Sequence, residues 1–112
     1  MEQKQYWSNG QLKRVANLVN NKKEGEIIWY YENGNLWEIS NWKDNKLEGE
    51  HKWYHDNGHL REISYYMNDE REGESRSYSI TGEEEITFWK NGEDITEQVL
   101  KKRELLEMIK GI

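Results

Sequence analysis

The tripeptide Glu-Gly-Glu occurs at residues 24–26, 48–50 and 72–74, and this 24-residue period constrains the fold more than any other feature of the chain. A turn glycine keeps the same spacing at Gly10, Gly34, Gly58 and Gly82, preceded by Asn9, Asn33, Asn57 and Thr81. Tyr6, Tyr30, Tyr54 and Tyr78 hold a further register position, Leu12, Leu36 and Leu60 another, and Val15, Ile39 and Ile63 a third. One residue is lost from the period between Gly82 and Ile86, after which Ile86, Phe88 and Trp89 match Ile63, Tyr65 and Tyr66.

Within each period, two short runs rich in Trp, Tyr and Ile flank the Asn-Gly pair. That pair tolerates positive φ at both central turn positions, which predicts a β-hairpin closed by a two-residue type I′ turn. The segments between hairpins, "NNKKEG", "DNKLEG" and "NDEREG", are polar and turn-prone, so successive hairpins join into a meander. A lone hairpin is unstable in water, and the hairpins must therefore stack side by side. The expected fold is mainly β: a single-layer, twisted antiparallel meander of stacked 24-residue hairpins over residues 1–94, some seven or eight strands of about 20 Å.

From Asp94 the period changes from two to roughly 3.6. "DITEQVLKKRELLEMIKGI" predicts a capping α-helix over residues 95–112, with Asp94 or Thr96 as N-cap and Gly111 at the C-cap. Ile95, Val99, Leu106 and Ile109 fall on one stripe beside Leu105 and Met108, which predicts a lid over the C-terminal end of the sheet. The first strand, by contrast, has no cover and is a candidate open edge for self-association.

With 112 residues the chain makes a single domain. Its 34% charged residues and mean hydropathy of -1.21 raise the question of disorder, which six Trp and seven Tyr answer: amphipathic rings suit a thin protein with few fully buried positions. There is no Cys, hence no disulfide or thiolate chemistry. No signal-like or membrane-spanning apolar run is visible, and a soluble, cytoplasmic protein is expected. Residues 1–23 carry five Lys/Arg against one acid (+4), residues 24–71 five against eleven (-6), and residues 72–112 six against ten (-4). This balance disfavours direct nucleic-acid or anionic-membrane binding and favours a basic protein partner.

An aromatic-rich strand, Tyr, Asn-Gly, Leu, a second strand and a polar turn, repeated over about residues 5–93, resembles the MORN repeat. More narrowly it resembles the bacterial and viral variant named for YwqK-type antitoxins. The resemblance implies a meander of stacked hairpins and a non-catalytic scaffold, with lipid binding proposed for some relatives. Two features depart from it: Ser75, Ser77 and Ser79 stand where the first copy has Ile27, Trp29 and Tyr31, and the helix lies outside the repeat.

Several residues are candidates for function. His51 and His55 lie about 13 Å apart along a strand, too far for one metal ion, and they read with His59 as surface histidines. Glu24, Glu26, Glu48, Glu50, Glu72 and Glu74 form an acidic rail whose equivalent carboxylates are about 10 Å apart, a spacing that suits a soluble turn edge or a dock for a basic partner and not a catalytic pair. Trp29, Trp53, Trp37, Trp42, Tyr31, Tyr65 and Tyr66 could form an aromatic platform, with most of the rings serving as packing. No phosphate loop, nucleophile elbow or Cys/His signature is present, so neither an enzyme nor a cofactor is expected.

The sequence therefore predicts a protein-binding module, antitoxin-like or a small inhibitor, that uses Glu24, Glu26, Trp29, Tyr31, Trp37, Glu50, Trp53, His55 and Glu74. A viral or phage inhibitor mimicking nucleic acid through its carboxylates, and a membrane-surface scaffold, are the alternatives.

Overall fold

The computed structural model describes residues 1–111 as one open antiparallel sheet followed by a helix. Eight longer strands carry the meander: β1 (Glu2–Tyr6), β2 (Leu12–Val19), β4 (Gly25–Tyr30), β5 (Leu36–Lys43), β7 (Gly49–Tyr54), β8 (Leu60–Met67), β10 (Gly73–Tyr78) and β11 (Glu84–Lys90). Four two-residue strands, β3 (Lys22–Lys23), β6 (Lys46–Leu47), β9 (Glu70–Arg71) and β12 (Glu93–Asp94), return from the connecting turns. The sheet does not close into a barrel, and the molecule measures 62 × 36 × 16 Å, the thickness of a single layer with its side chains.

The two kinds of turn exchange the roles expected of them. At the hairpin tips pairing ends at Tyr30↔Leu36, and five residues remain to be spanned. Gly34 N–H donates to Tyr31 O, Gly34 takes φ 91°, and Asn33 stays out of the left-handed region because its side chain accepts from Asn35 N–H. The tip is thus a type I turn closed by a left-handed glycine. The type I′ turns lie in the connectors, where pairing such as Lys43↔Lys46 leaves only two residues. Asp44 and Asn45 have φ 48° and 70°, and Asn20–Asn21, Asn68–Asp69 and Asn91–Gly92 repeat this.

Two bulges per repeat shape the strands. After each connector, β2 moves back three residues from Leu18↔Lys23 to Val15↔Ile28 while its partner advances five, and Gly25 takes φ 78° in the excess. The second bulge sits beside the tip, where Trp29 faces Glu38 and Tyr30 faces Leu36, leaving Trp37 as the extra residue. Lys13 and Arg61 occupy the same place. In the last hairpin Tyr78↔Glu84 and Arg76↔Ile86 pair without a shift, so the residue lost after Gly82 is the bulge residue.

The core is a single row across the sheet. Ala16, Ile27, Ser40, His51, Ser64 and Ser75 are buried, and cross-strand pairs Ile27↔Ser40 and His51↔Ser64 place them on one face. Four of the six are Ala or Ser, and indoles bond into the row: Trp42 Nε1 donates to Ser40 Oγ at 2.7 Å, and Trp89 Nε1 to Oγ1 of Thr87, the cross-strand partner of Ser75, at 2.9 Å. His51 lies stacked on Trp53 at 3.7 Å and reaches Glu38 Oε1 at 2.6 Å.

The helix α1 (Thr96–Lys110) caps the array through its first turns alone. Ile95 N–H donates to Phe88 O, Phe88 N–H to Thr96 Oγ1, and the Arg103 guanidinium sits 4.6 Å from the Phe88 ring. Ile95 is the N-cap residue, and Asp94 accepts from both the hydroxyl and the N–H of Thr96, which hold its carboxyl below the usual range. That contribution is present above the pKa of a free aspartate and is lost as pH falls through the lowered folded value. Gly111 is the C-cap, with a right-handed φ of -75°.

The expected lid does not form: no helix residue is buried, and Leu105, Met108 and Ile109 are 57%, 65% and 59% exposed. Three of the six residues between Val99 and Leu106, the next residue of the stripe, are the consecutive bases Lys101, Lys102 and Arg103, and this interrupts the apolar face. Leu106→Asp should accordingly shift unfolding by no more than about 0.5 kcal/mol, the range of ordinary surface substitutions, in urea melts followed by tryptophan fluorescence.

A candidate recognition groove

Most of the polar residues singled out by the repeat hold one repeat to the next. Along the connector margin, Glu24 accepts from Asp44 N–H at 2.9 Å, Glu48 from Asn68 N–H at 2.8 Å and Glu72 from Asn91 N–H at 2.9 Å. A type I′ turn leaves such amides unpaired, and a carboxylate one repeat earlier satisfies each in turn. Along the tip margin, Trp7 Nε1 donates to Tyr30 O (3.1 Å), Tyr31 OH to Tyr54 O (2.7 Å) and His55 Nε2 to Tyr78 O (2.8 Å). Three different side chains thus make the same bond. Because a carbonyl only accepts, His55 carries its proton on Nε2. Asn9 and Asn33 add a parallel rung to Glu32 O and Asp56 O, both at 2.9 Å.

The remaining acidic candidates lie on one face of the sheet. Glu50 pairs with Lys52 at 3.1 Å and Glu74 with Arg76 at 2.8 Å, each two residues along its own strand, while Glu26 is exposed there beside Ile28. Trp29 and Trp53 belong to the other face. The nine residues therefore do not form one site: the structure brings Trp29, Tyr31 and Trp37 together and separates the other six.

Five of the six tryptophans already have a cation or an imidazole against the ring. Lys13 covers Trp7 at 4.7 Å, Arg14 covers Trp29 at 5.3 Å, Lys23 covers Trp42 at 4.3 Å and Arg71 covers Trp89 at 4.9 Å, while His51 stacks on Trp53. Trp37 is different. Placed by the bulge, it packs against aromatic neighbours, Trp29 edge-on at 5.7 Å and Tyr31 at 5.6 Å, and no cation reaches it among the described residues.

Trp37 also lines a groove of about 420 Å³ with Trp7, Tyr31, Glu32, Asn33 and Asp56, open between the first hairpin tips. Burial, with Asp56 nearby, raises the Tyr31 hydroxyl above its ordinary pKa against the opposing influence of Arg61, so it remains a neutral donor throughout the physiological range. Glu32 and Asp56 are exposed, and only their backbone carbonyls take part in the ladder, which leaves both carboxylates without a partner among the described residues. Three rings and two carboxylates suit a cationic side chain: ring faces attract it and the acids neutralise it. Trp7, Glu32 and Asp56 escaped the sequence reading, although Trp7 stands in register with Tyr31, and Trp37 is the one apolar residue at the position held by Lys13 and Arg61.

A family model for the MORN repeat variant matches residues 1–20, 23–44 and 47–68, three successive hairpins and more than half of the chain. The chain belongs to the MORN repeat family. Its MORN repeats account for the tip and connector chemistry described above, and MORN repeats serve in general as modules for contacts with proteins or membranes. The fourth hairpin, which has lost the bulge residue, lies outside the matched segments, as does the helix. No curated protein matches the chain. Among the described residues no helix is long and apolar enough to cross a membrane, and no group of His, Asp and Glu is arranged to hold a metal ion.

If the margins are structural, Tyr31→Phe and Glu48→Ala should each destabilise the sheet by about 1 kcal/mol, the worth of one ladder hydrogen bond. Glu26→Ala, which breaks no such bond, should remain within about 0.5 kcal/mol of the parent in the same urea melts.

Proposed function

We infer that this MORN protein is a non-catalytic protein-interaction module that receives a basic side chain of a partner protein in the Trp7–Tyr31–Trp37 groove. By holding that segment it restrains the partner, as an antitoxin or a small protein inhibitor does. The observation that carries this reading is Trp37, the tryptophan without an internal cation, placed beside the free carboxylates of Glu32 and Asp56. The net charge of -6 supports a basic partner by steering it. A cytoplasmic location goes with this reading.

The alternatives draw less support. A nucleic-acid mimic needs a row of unengaged carboxylates, but those of Glu24, Glu48 and Glu72 bond backbone amides, and those of Glu50 and Glu74 face cations. An anionic membrane would repel the acidic rim of the groove. What weighs against catalysis is the burial of a series that looks like a relay: in Glu38–His51–Ser64 the serine is 0% exposed, and the histidine turns Nε2 to the carboxylate.

Binding of an arginine-rich peptide, followed by tryptophan fluorescence, tests the reading. Trp37→Ala should weaken it about tenfold, consistent with a partly desolvated cation–π contact of about 1–2 kcal/mol. Glu32→Lys with Asp56→Lys should weaken it further and leave the melting temperature unchanged. Equal affinity of these variants and the parent would reject the groove as the site.

A further inference from the structure

We propose that copies of this chain associate head to tail, with the open edge of β1 pairing to the open edge of β11 of a second copy. The argument rests on how the repeats join inside one chain. Each internal junction consists of two residue pairs: Val15↔Ile28 and Arg14↔Trp29, then Ile39↔Lys52 and Glu38↔Trp53, then Ile63↔Arg76 and Glu62↔Ser77. Carried one period further, the donor edge is Ile86 and Glu85 on β11. Carried one period back, the receiving edge is Lys4 and Gln5 on β1.

Both edges are open at those positions. Every residue of β1 is exposed, and among the described residues it pairs only with β2. On β11, the return strand and the start of the helix engage Phe88, Trp89 and Lys90, and among the described residues no outer strand pairs with Glu84, Glu85 or Ile86. The chain departs from the array at Thr96, which stands where Gly25, Gly49 and Gly73 begin the next strand of each junction.

The receiving edge keeps the chemistry of an internal junction although no strand among the described residues pairs with its outer side. In β7 and β10 the junction residue is a cation paired to a glutamate two residues before it, Lys52 with Glu50 at 3.1 Å and Arg76 with Glu74 at 2.8 Å. β1 repeats this with Lys4 and Glu2 at 3.5 Å. Ile86↔Lys4 between copies would thus reproduce Ile39↔Lys52 and Ile63↔Arg76 within one.

Charge selects the same pairing. The N-terminal 23 residues carry +4 and residues 72–112 carry -4, from five cations against one acid and six against ten. Docked in the internal register, Lys4 lies diagonal to the exposed Glu84, within reach of a long side chain, and Gln5 lies opposite Glu85. The tip rung is weaker than inside the chain, since Ser79 bonds Thr81 and its own turn instead of reaching forward as Tyr31 and His55 do. A pairing of unlike edges leaves a dimer with one free edge of each kind, so it propagates to species larger than a dimer.

Sedimentation velocity of the 112-residue chain over a wide concentration range tests this. The parent should form species larger than a dimer, weakened by salt. Lys4→Glu alone and the Glu84→Lys, Glu85→Lys double variant alone should each associate about fivefold more weakly per reversed cross-strand pair. An equimolar mixture of the two variants should restore association, because each then offers the other a complementary edge. A parent that stays monomeric overturns the proposal. So does a double variant that associates as well as the parent, which would indicate β1-to-β1 pairing, or a mixture no better than its components.

Discussion

A sheet one layer thick has no second layer against which to bury its apolar face, so each hairpin depends on bonds made sideways to the next. Those bonds occur at three places across the width of the sheet: two residue pairs at its centre, the carboxylate-to-amide rung at the connector margin, and the side-chain-to-carbonyl rung at the tips. The two margin rungs link residues about a period apart and the central pairs link the second strand of one hairpin to the first strand of the next, which is why the sequence repeats so strictly while its composition stays polar. Glutamate, asparagine and glycine persist for geometric reasons: glutamate caps a type I′ turn, asparagine and aspartate enter the left-handed region, and glycine closes the tip.

The same constraint shapes the use of aromatic residues. With only a narrow row fully buried, most rings remain half-exposed and cover their polar neighbours, and the cations beside Trp7, Trp29, Trp42 and Trp89 shield the ring faces from solvent. Recognition is available where this shielding is missing. At Trp37 the bulge that elsewhere presents Lys13 or Arg61 presents a ring instead, so one substitution in a structural position gives an aromatic wall to a tip groove that one period later is lined by His55 and Arg61.

Much of this architecture was legible from spacing alone. The period located the hairpins, the lost residue after Gly82 marked the missing bulge, and the change of period at Asp94 marked the helix. The turn types were not legible, because Asn-Gly suits two geometries and the choice depends on where strand pairing stops, at Tyr30↔Leu36 for the tip and at Lys43↔Lys46 for the connector. The docking of the helix was not legible either, since amphipathic spacing describes a face and says nothing of what lies opposite it. For the groove, Tyr31 and Trp37 were visible as candidate rings, but Glu32 and Asp56 read as turn residues. Their convergence with Trp7 arises only when three hairpin tips stand side by side.

The six indole N–H resonances in a ¹⁵N-labelled sample offer the most direct view of this division between structural and free rings. Three of these groups are engaged in hydrogen bonds, Trp7 to Tyr30 O, Trp42 to Ser40 Oγ and Trp89 to Thr87 Oγ1. On titration with an arginine-containing peptide, Trp37 should shift first and most, followed by Trp7 across the groove, while Trp42, Trp53 and Trp89 stay in place. A response led by Trp29 or Trp53, or one shared equally by all the indoles, would contradict the account.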